Sequence, residues 1–290
     1  MNINNFTSKL LIGTANFNQS YGIANNFMPL TEQKIKKIIK VANLNNLKTF
    51  DTALGYNNVD QLLGRLTYKN SKYISKISDI DLSNIETSIN YQINRSLKNL
   101  KKKNLEGLLL HNEKILTNKH GKKIFNILQK LKKKKIIKKI GVSFYDKKNL
   151  IKTIKRFKLD FVQIPINIFD QRFIDKKTIH ILKKKKIEIH ARSIFLQGIL
   201  LKQNKKVKYK FLKWENIFNK YHEYLKEKKL TPIKACLNFV INKDYIDKIV
   251  IGVFSDKQLL EILNNIENLN LNFDEMKQNS KTKLINPNFW

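Results

Sequence analysis

The sequence is poor in the residues that cross-link or interrupt a chain. It contains one cysteine, four prolines and nine glycines among 290 residues. The single Cys236 excludes a disulfide framework and disfavours a cysteine-based zinc site. The small numbers of glycine and proline exclude collagen-like and linker-dominated architectures. Since 42% of the residues are hydrophobic, a disordered chain is excluded as well.

Long apolar runs are also missing. No stretch approaches about 18 consecutive apolar residues, the length that a membrane helix requires. The first residues, MNINNFTSKLLIG, lack a basic segment followed by a long apolar one. We therefore expect a cytoplasmic protein that is neither secreted nor inserted into a membrane.

The usual signatures of nucleotide and metal sites do not occur either. The chain has no G-x-G-x-x-G and no G-x-x-x-x-G-K-[ST] motif, which argues against a Rossmann fold and a P-loop. Four of the five histidines lie on different segments and lack ligand spacing, so no metal site is expected. These are His120, His180, His190 and His222.

Acidic residues are scarce, with 23 Asp and Glu against 57 Lys and Arg, and the net charge is +34. Only five of the cationic residues are arginines. Because arginine is preferred for bidentate contacts with bases and phosphates, its scarcity disfavours specific nucleic-acid binding. Runs of lysine follow predicted helices, where cations complement the helix dipole. A solvated surface therefore explains the charge, and a polyanion binder remains the less favoured alternative.

Eight short apolar runs are distributed along the chain. They are rich in leucine and β-branched residues and mostly do not alternate strictly, as expected of strands buried on both faces. The predicted strands are Leu10–Ala15, Leu47–Thr52, Tyr73–Ser78, Gly107–His111, Ile136–Ser143, Phe161–Pro165, Ile187–Arg192 and Ile249–Val253.

Segments with a helical period separate these runs. In Thr31–Asn46, for example, Ile35, Ile38 and Ile39 share one face and Thr31 can act as the N-cap. The other predicted helices are Asn58–Leu66, Ile85–Leu100, Lys119–Lys134, Lys147–Lys158, Lys176–Lys185, a pair within Lys210–Ile241, and Asp256–Ile266. Strands that are each followed by a helix, at a spacing of about 30 residues, predict an α/β fold of the (β/α)8 TIM-barrel type. We expect a single domain over residues 1–290, with an extra helix before the last strand.

Four titratable residues lie at the ends of consecutive predicted strands or just after them. Asp51 ends the second strand, Tyr56 follows in the loop, and Lys76 and His111 end the third and fourth strands. Since barrel enzymes carry their catalytic residues at these ends, we expect the four side chains to converge. An ammonium group lowers the pKa of a neighbouring phenol, and a carboxylate can hold that ammonium in place. The set would therefore donate a proton to a carbonyl, although Asp51 alone could cap its loop and His111 alone could be a core histidine.

Along essentially its whole length the sequence resembles the aldo-keto reductase family. The segments LIGTANFNQSYGI and FDTALGYNNVDQLLGRL are similar to the family's opening GT motif and to its Asp- and Tyr-containing signature. GLLLHN, IGVSFY and VQIPINIFDQR resemble the strands that carry the family's His, Ser and Gln. RSIFLQGIL and VIGVFSDKQLLEIL resemble two cofactor-binding segments. Each match is weak alone, but seven in the correct order make the resemblance specific.

The resemblance implies reduction of an aldehyde or ketone by NADPH or NADH, without a metal or flavin. Tyr56 would be the general acid, Lys76 and Asp51 would tune it, and His111 would orient the carbonyl. A bacterial subgroup with similar motifs suggests a sugar or nucleotide sugar as the small-molecule substrate. The cofactor would be bound by Gly13, Thr14, Ser143, Gln163, Arg192, Gln197, Gly198, Ser255 and Lys257.

Several positions depart from the family pattern. Phe144 stands where many members have Asn, and Arg192 replaces an aromatic residue that stacks on the nicotinamide. Phe254 and Gln258 replace the cations that usually bind a 2′-phosphate, so Lys257 is the nearby cation. We therefore expect weak discrimination between NADH and NADPH.

Two questions stay open at the level of the sequence. A regulatory barrel that binds the nucleotide without turnover is the alternative to a reductase. The tail residues Phe289 and Trp290 could anchor the C-terminus, line the substrate pocket or contact another subunit.

Overall fold

A computed structural model describes residues 6–18, 29–202, 209–269 and 271–290. Eight parallel strands form one closed barrel in which each strand pairs with its neighbours in sequence. This confirms the predicted (β/α)8 fold and the predicted order of the strands. The strands are β1 (Leu10–Gly13), β2 (Thr49–Asp51), β3 (Lys72–Ile77), β4 (Gly107–Leu110), β5 (Ile140–Ser143), β6 (Phe161–Pro165), β7 (Glu188–Arg192) and β8 (Lys248–Gly252).

Helices follow the strands and cover the outside of the barrel. Within the described residues these are α1 (Glu32–Leu44), α2 (Val59–Leu66), α3 (Ile85–Leu100), α4 (Lys114–Thr117), α5 (Gly121–Lys133), α6 (Lys147–Arg156), α7 (Lys176–Lys184), α8 (Glu215–Glu227), α9 (Pro232–Ile241), α10 (Asp256–Asn264) and α11 (Thr282–Ile285). Both α8 and α9 lie between β7 and β8, which confirms the predicted extra helix. No helix of the described segments is long and apolar enough to cross a bilayer.

Several predicted strands are longer than the observed ones. The run predicted to begin at Ile136 becomes β5 only at Ile140, because Ile137 forms an isolated bridge with Leu105 instead of joining the ladder. His111 follows β4 rather than ending it, and its N–H donates to the carbonyl of Ile77 at 2.9 Å. Residues 19–23 of the opening motif lie outside the described residues.

Five of the eleven described helices begin at a polar N-cap whose side chain accepts a backbone N–H. The Thr31 hydroxyl accepts the N–H of Lys34, which confirms the predicted cap of α1. Asp146, Asp175, Thr231 and Ser255 cap α6, α7, α9 and α10 in the same way. Each cap satisfies an N–H group that has no partner inside the helix.

The inside of the barrel contains a small apolar layer that is separate from the core between strands and helices. It consists of Leu11, Ile74, Leu109 and Phe161, with Val250 packed against them. A Cβ atom would lie 2.7 Å from the Phe161 ring at Gly141 and 3.0 Å from it at Gly107. The glycines therefore provide the space that the ring fills.

Two residues with titratable side chains are fully buried in the core. His190 lies inside β7, with its ring 4.6 Å from that of Phe161. Cys236 is a small core residue of α9, and burial raises its pKa to about 12.

The C-terminal tail is held by its last residue. The ring of Trp290 packs edge-on against Phe211 at 5.1 Å, and its Nε1 donates to the carbonyl of Lys283. Phe289 is 60% exposed. Of the three roles open at the level of the sequence, Trp290 therefore fills that of an anchor.

Candidate active site

The candidate site is the level immediately above the apolar layer of the barrel. Since side chains alternate along a strand, the second residue after each interior residue points inward one level nearer to the C-terminal end. All seven residues of this upper level line one cavity of about 380 Å³. Each pair below comes from one strand or its end, with the lower residue written first: Leu11/Gly13, Ile74/Lys76, Leu109/His111, Gly141/Ser143, Phe161/Gln163, His190/Arg192 and Val250/Gly252.

Most residues that the sequence singled out meet in this cavity. The four candidate catalytic residues line it, together with most of the candidate cofactor residues: Asp51, Tyr56, Lys76, His111, Gly13, Thr14, Ser143, Gln163, Arg192, Gln197 and Gly198. Ser255 and Lys257 do not. The Ser255 hydroxyl accepts the N–H of Gln258 as the cap of α10, and Lys257 is exposed outside the cavity. Phe254 and Gln258 line the cavity at this end instead.

A buried ion pair lies at the centre of the site. The Lys76 ammonium contacts Oδ1 of Asp51, and the two side chains are 3% and 6% exposed. Lys76 also donates to the carbonyl of Thr52 at 3.0 Å, and Gln163 Nε2 donates to Oδ2 of Asp51 at 2.8 Å. Both oxygens of Asp51 are therefore used, and the charge of Lys76 is held in one position.

Tyr56 lies over this pair, with the Lys76 nitrogen 5.8 Å from the centroid of its ring. Burial raises the pKa of Tyr56 well above its ordinary value, Asp51 and Tyr145 raise it further, and Arg192 opposes them. The predicted lowering of this pKa is therefore wrong for the resting site, because burial decides the direction of the shift. The phenol is protonated at neutral pH.

His111 is neutral at physiological pH. Burial lowers its pKa to about 4, and the positive charges of Lys76 and Arg192 act in the same direction. A neutral imidazole can donate one hydrogen bond and accept another. A neutral His111 can therefore orient a carbonyl group by a hydrogen bond, but it does not place a positive charge beside it.

The backbone approaches the cavity closely at β1 and β8. A Cβ atom at Gly252 would meet no atom of the described residues within 4 Å, and Gly252 lines the cavity. After β7, four residues have left-handed backbone angles: Ser193 (φ 57°), Leu196 (φ 46°), Gln197 (φ 52°) and Gly198 (φ 86°). Strained backbone of this kind is concentrated at ligand sites.

The sequence profile of the aldo/keto reductase family matches residues 9–282. The chain belongs to this family. A solved aldo-keto reductase from Bacillus halodurans, in its holo form, is 16% identical and superposes with a TM-score of 0.73 over 96% of this chain and 92% of that one. The glycerol dehydrogenase from Gluconobacter oxydans is 15% identical, with a TM-score of 0.69 over the same shares. At such low identity these structures show a common fold only, and a comparison with curated proteins found no match.

Tyr145 and Asn16 of this aldo/keto reductase also line the cavity, although the sequence analysis gave them no role. Tyr145 follows β5, and its backbone is held by Glu113, which accepts its N–H, and by Arg172, which donates to its carbonyl. Asn16 follows β1 and is 3% exposed, with Nδ2 2.6 Å from the carbonyl of Val253. Both residues lie in segments that resemble family motifs, two or three positions after a strand end.

Within residues 6–18, 29–202, 209–269 and 271–290 of this aldo/keto reductase, no group of three His, Cys, Asp or Glu side chains could hold a metal ion.

Proposed function

We propose that this protein reduces an aldehyde or a ketone to an alcohol with NADH or NADPH. The supporting observation is the buried Lys76–Asp51 pair beneath Tyr56 and next to His111, at the end of the barrel where this fold carries its chemistry. Burying two charges costs desolvation free energy that their attraction offsets only in good geometry, so stability alone is a weak explanation for this pair.

Tyr56 would donate its proton to the carbonyl oxygen. The half-buried phenol is in its donor form at neutral pH, so no prior protonation step is needed. As the proton leaves, a phenolate forms, and the fixed ammonium of Lys76 would stabilise it. Asp51 would hold Lys76, and neutral His111 would hydrogen-bond the carbonyl oxygen.

The upper level of the barrel and the loop after β7 fit an extended nucleotide. A reduced nicotinamide, when bound, supplies the hydride that the carbonyl carbon accepts. Ser143 and Gln163 would hold its carboxamide, while Gly13 and Thr14 would border it at β1. Gln197 and Gly198 would contact the pyrophosphate, and the cavity volume lies within the range of small-ligand sites, about 300–1,000 Å³.

The adenosine end would lie at the start of α10. Phe254 and Gln258 line the cavity there, and the side-chain oxygen of Gln258 accepts the N–H of Phe254 at 2.8 Å. Neither residue is cationic, which favours acceptance of both cofactors. Ser255 and Lys257, predicted as cofactor residues, would act only indirectly, through the cap and the local charge.

Cofactor oxidation with a panel of carbonyl compounds tests the proposal. The panel contains aldehydes, ketones, keto sugars and nucleotide sugars, and the Gluconobacter oxydans structure, described as a glycerol dehydrogenase, adds short hydroxyaldehydes and hydroxyketones. We expect turnover that depends on Tyr56. Tight cofactor binding without turnover would favour the nucleotide-binding regulatory barrel, and no binding of either cofactor would exclude both functions.

A further inference from the structure

Arg192 lies at the wall of the cavity and forms no salt bridge with any described carboxylate. Among the described residues that line the cavity, Asp51 is the single carboxylate, and it is paired with Lys76. The terminal nitrogens of Arg192 contact the hydroxyl of Ser193 and the carbonyl of Phe144, each at 3.3 Å. At this length both are weak hydrogen bonds.

The Nε atom of Arg192 has no hydrogen-bond partner within the described part of the chain, although it is buried. A buried donor without an acceptor is unfavourable, so such atoms in a native protein call for an explanation. A ligand that places an acceptor at this point would remove the penalty.

The orientation of the guanidinium is set from one face. Its central carbon lies 4.0 Å from the centroid of the Tyr145 ring, so the two groups are stacked. The backbone of Tyr145 is in turn held by Glu113 and Arg172. Stacking occupies one face of the guanidinium and leaves the N–H of Nε without an acceptor among the described residues. Along the Nε edge, two nearly parallel N–H groups match the two oxygens of a carboxylate.

Arg192 also lies close to the chemistry. It ends β7 at the level that carries Lys76 and His111, and it lines the same cavity as Tyr56. Burial is the largest influence on the pKa of Tyr56 and of His111, and the charge of Arg192 lowers both values. An anion bound to Arg192 would therefore lie in the same part of the cavity as the reacting carbonyl.

We propose that the carbonyl substrate of this protein carries a carboxylate, and that the Nε edge of Arg192 binds it. This inference rests on the proposed reductase function. The carboxylate would give Nε its acceptor, neutralise the guanidinium and hold the carbonyl beside Tyr56. A phosphate of the cofactor is the competing ligand for Arg192, and the experiment separates the two.

The test compares 4-carboxybenzaldehyde and 3-carboxybenzaldehyde with their methyl esters, which have nearly the same shape without the charge. The readout is the ratio of kcat/KM for acid over ester, because any general loss of activity cancels. We expect the wild type to prefer at least one acid and Arg192→Gln to lower that ratio about 10- to 100-fold, the effect of one charge-assisted hydrogen bond. Arg192→Lys should recover only part of the ratio, because it lacks the planar fork.

Arg95→Gln is the matched control. Arg95 is exposed on α3 and does not line the cavity, so this substitution removes the same charge at a distant place. It should keep the wild-type ratio. A ratio near one in the wild type, or equal losses for acid and ester in Arg192→Gln together with weaker cofactor binding, would overturn the proposal and assign Arg192 to the cofactor.

Binding of the alcohol products separates this inference from the proposed function. If the protein turns over neither acid nor ester, the reductase function fails for these compounds. Calorimetry with 4-(hydroxymethyl)benzoate and its methyl ester then still decides the role of Arg192. Preference for the acid that Arg192→Gln abolishes supports the carboxylate site, whereas equal or absent binding of both compounds contradicts it.

Discussion

The two ends of the barrel each hold a cation–carboxylate pair, but in different environments. At the C-terminal end, Lys76 and Asp51 are 3% and 6% exposed and face the cavity. Toward the N-terminal end, Lys139 contacts Glu188, the first residue of β7, at 2.6 Å, and these side chains are 36% and 32% exposed. The lower pair, Lys139 and Glu188, remains partly exposed to solvent, whereas the upper pair, Lys76 and Asp51, has lost nearly all of its solvent contact.

The difference in exposure predicts different roles for the two pairs, one in stability and one in catalysis. A partly exposed pair gains a modest free energy and loses little solvation. A buried pair loses much of its hydration, which its mutual attraction repays only in good geometry. Replacing the lower pair should therefore change stability, whereas replacing the upper pair should change catalysis, and the following predictions test this division from the largest expected effect to the smallest.

Tyr56→Phe should abolish most carbonyl reduction, with kcat lower by about 10²–10⁴-fold, the usual contribution of a general acid. The substitution removes the donated proton but no expected cofactor contact. Steady-state kinetics and cofactor fluorescence titration measure the two effects separately, and cofactor affinity should stay within about twofold. If kcat stays close to that of the wild type, another group is the acid.

Lys76→Met should lower kcat by about 10- to 100-fold, because the phenolate that forms as the proton leaves would lose its nearby cation, an interaction worth about 1–3 pKa units. The remaining Asp51 charge raises the pKa of Tyr56 further, so the alkaline limb of the pH–rate profile moves to higher pH. Asp51→Asn should have a smaller effect, since Asp51 acts through Lys76.

Lys139→Met, at the opposite end of the barrel, is the matched control for Lys76→Met. It should keep the wild-type kcat and pH profile. Because Lys76→Met also leaves a buried carboxylate unpaired, urea unfolding must accompany the kinetics, and the double variant Asp51→Asn/Lys76→Met should recover stability but not activity. Unchanged pH profiles in both single variants would contradict the coupled acid.

Phe254→Arg should shift cofactor preference toward NADPH by roughly 1.5–3 kcal/mol before screening, the value of one charge-assisted hydrogen bond. The wild type should accept NADH and NADPH with comparable efficiency, and any advantage of NADPH should decrease with salt, since surface fields are screened over about 10 Å at moderate ionic strength. The measurement is kcat/KM for both cofactors at low and high salt. A wild-type preference for NADPH above a hundredfold that ignores salt would reveal a cationic site not identified among the described residues.

Glu188→Gln should affect stability alone and by the smallest amount. A hydrogen bond with His190 and then the contact with Lys139 lower the pKa of Glu188 from 4.5 to about 2. Because the folded state has the lower pKa, the stabilisation is complete above pH 4.5 and disappears as the pH falls toward 2. The difference in unfolding free energy between wild type and variant should therefore be largest near neutral pH and shrink in that window. An equal difference at all pH values would mean that packing, not ionisation, is responsible.

Much of the upper end of the barrel could be predicted because its signals are local. Apolar runs and helical periods predicted all eight strands, and the strand-end positions of Asp51, Lys76 and His111 predicted their convergence. The pKa of Tyr56 could not be predicted in this way, since its direction depends on the depth of the phenol and on the pairing of Lys76 with Asp51.

Other features depend on contacts between distant loops. Tyr145 lines the cavity because Glu113 and Arg172, from two other loops, bind its backbone. Ser255 did carry a local signal: it stands three residues before Gln258 and an apolar run, a spacing typical of a helix cap. The family resemblance pointed to the right segment, but the capping chemistry decides where the hydroxyl points.

The fit of Phe161 against Gly107 and Gly141 constrains how this barrel can evolve. A methyl group added at either glycine collides with the ring, and a smaller residue at position 161 leaves a void that nothing else fills. Single changes at these three positions are therefore disfavoured, whereas a simultaneous exchange of ring and glycine conserves volume. Relatives should accordingly show correlated substitutions here: a smaller side chain at 161 should accompany alanine or a larger residue at 107 or 141, on lineages where the surrounding strands are otherwise unchanged.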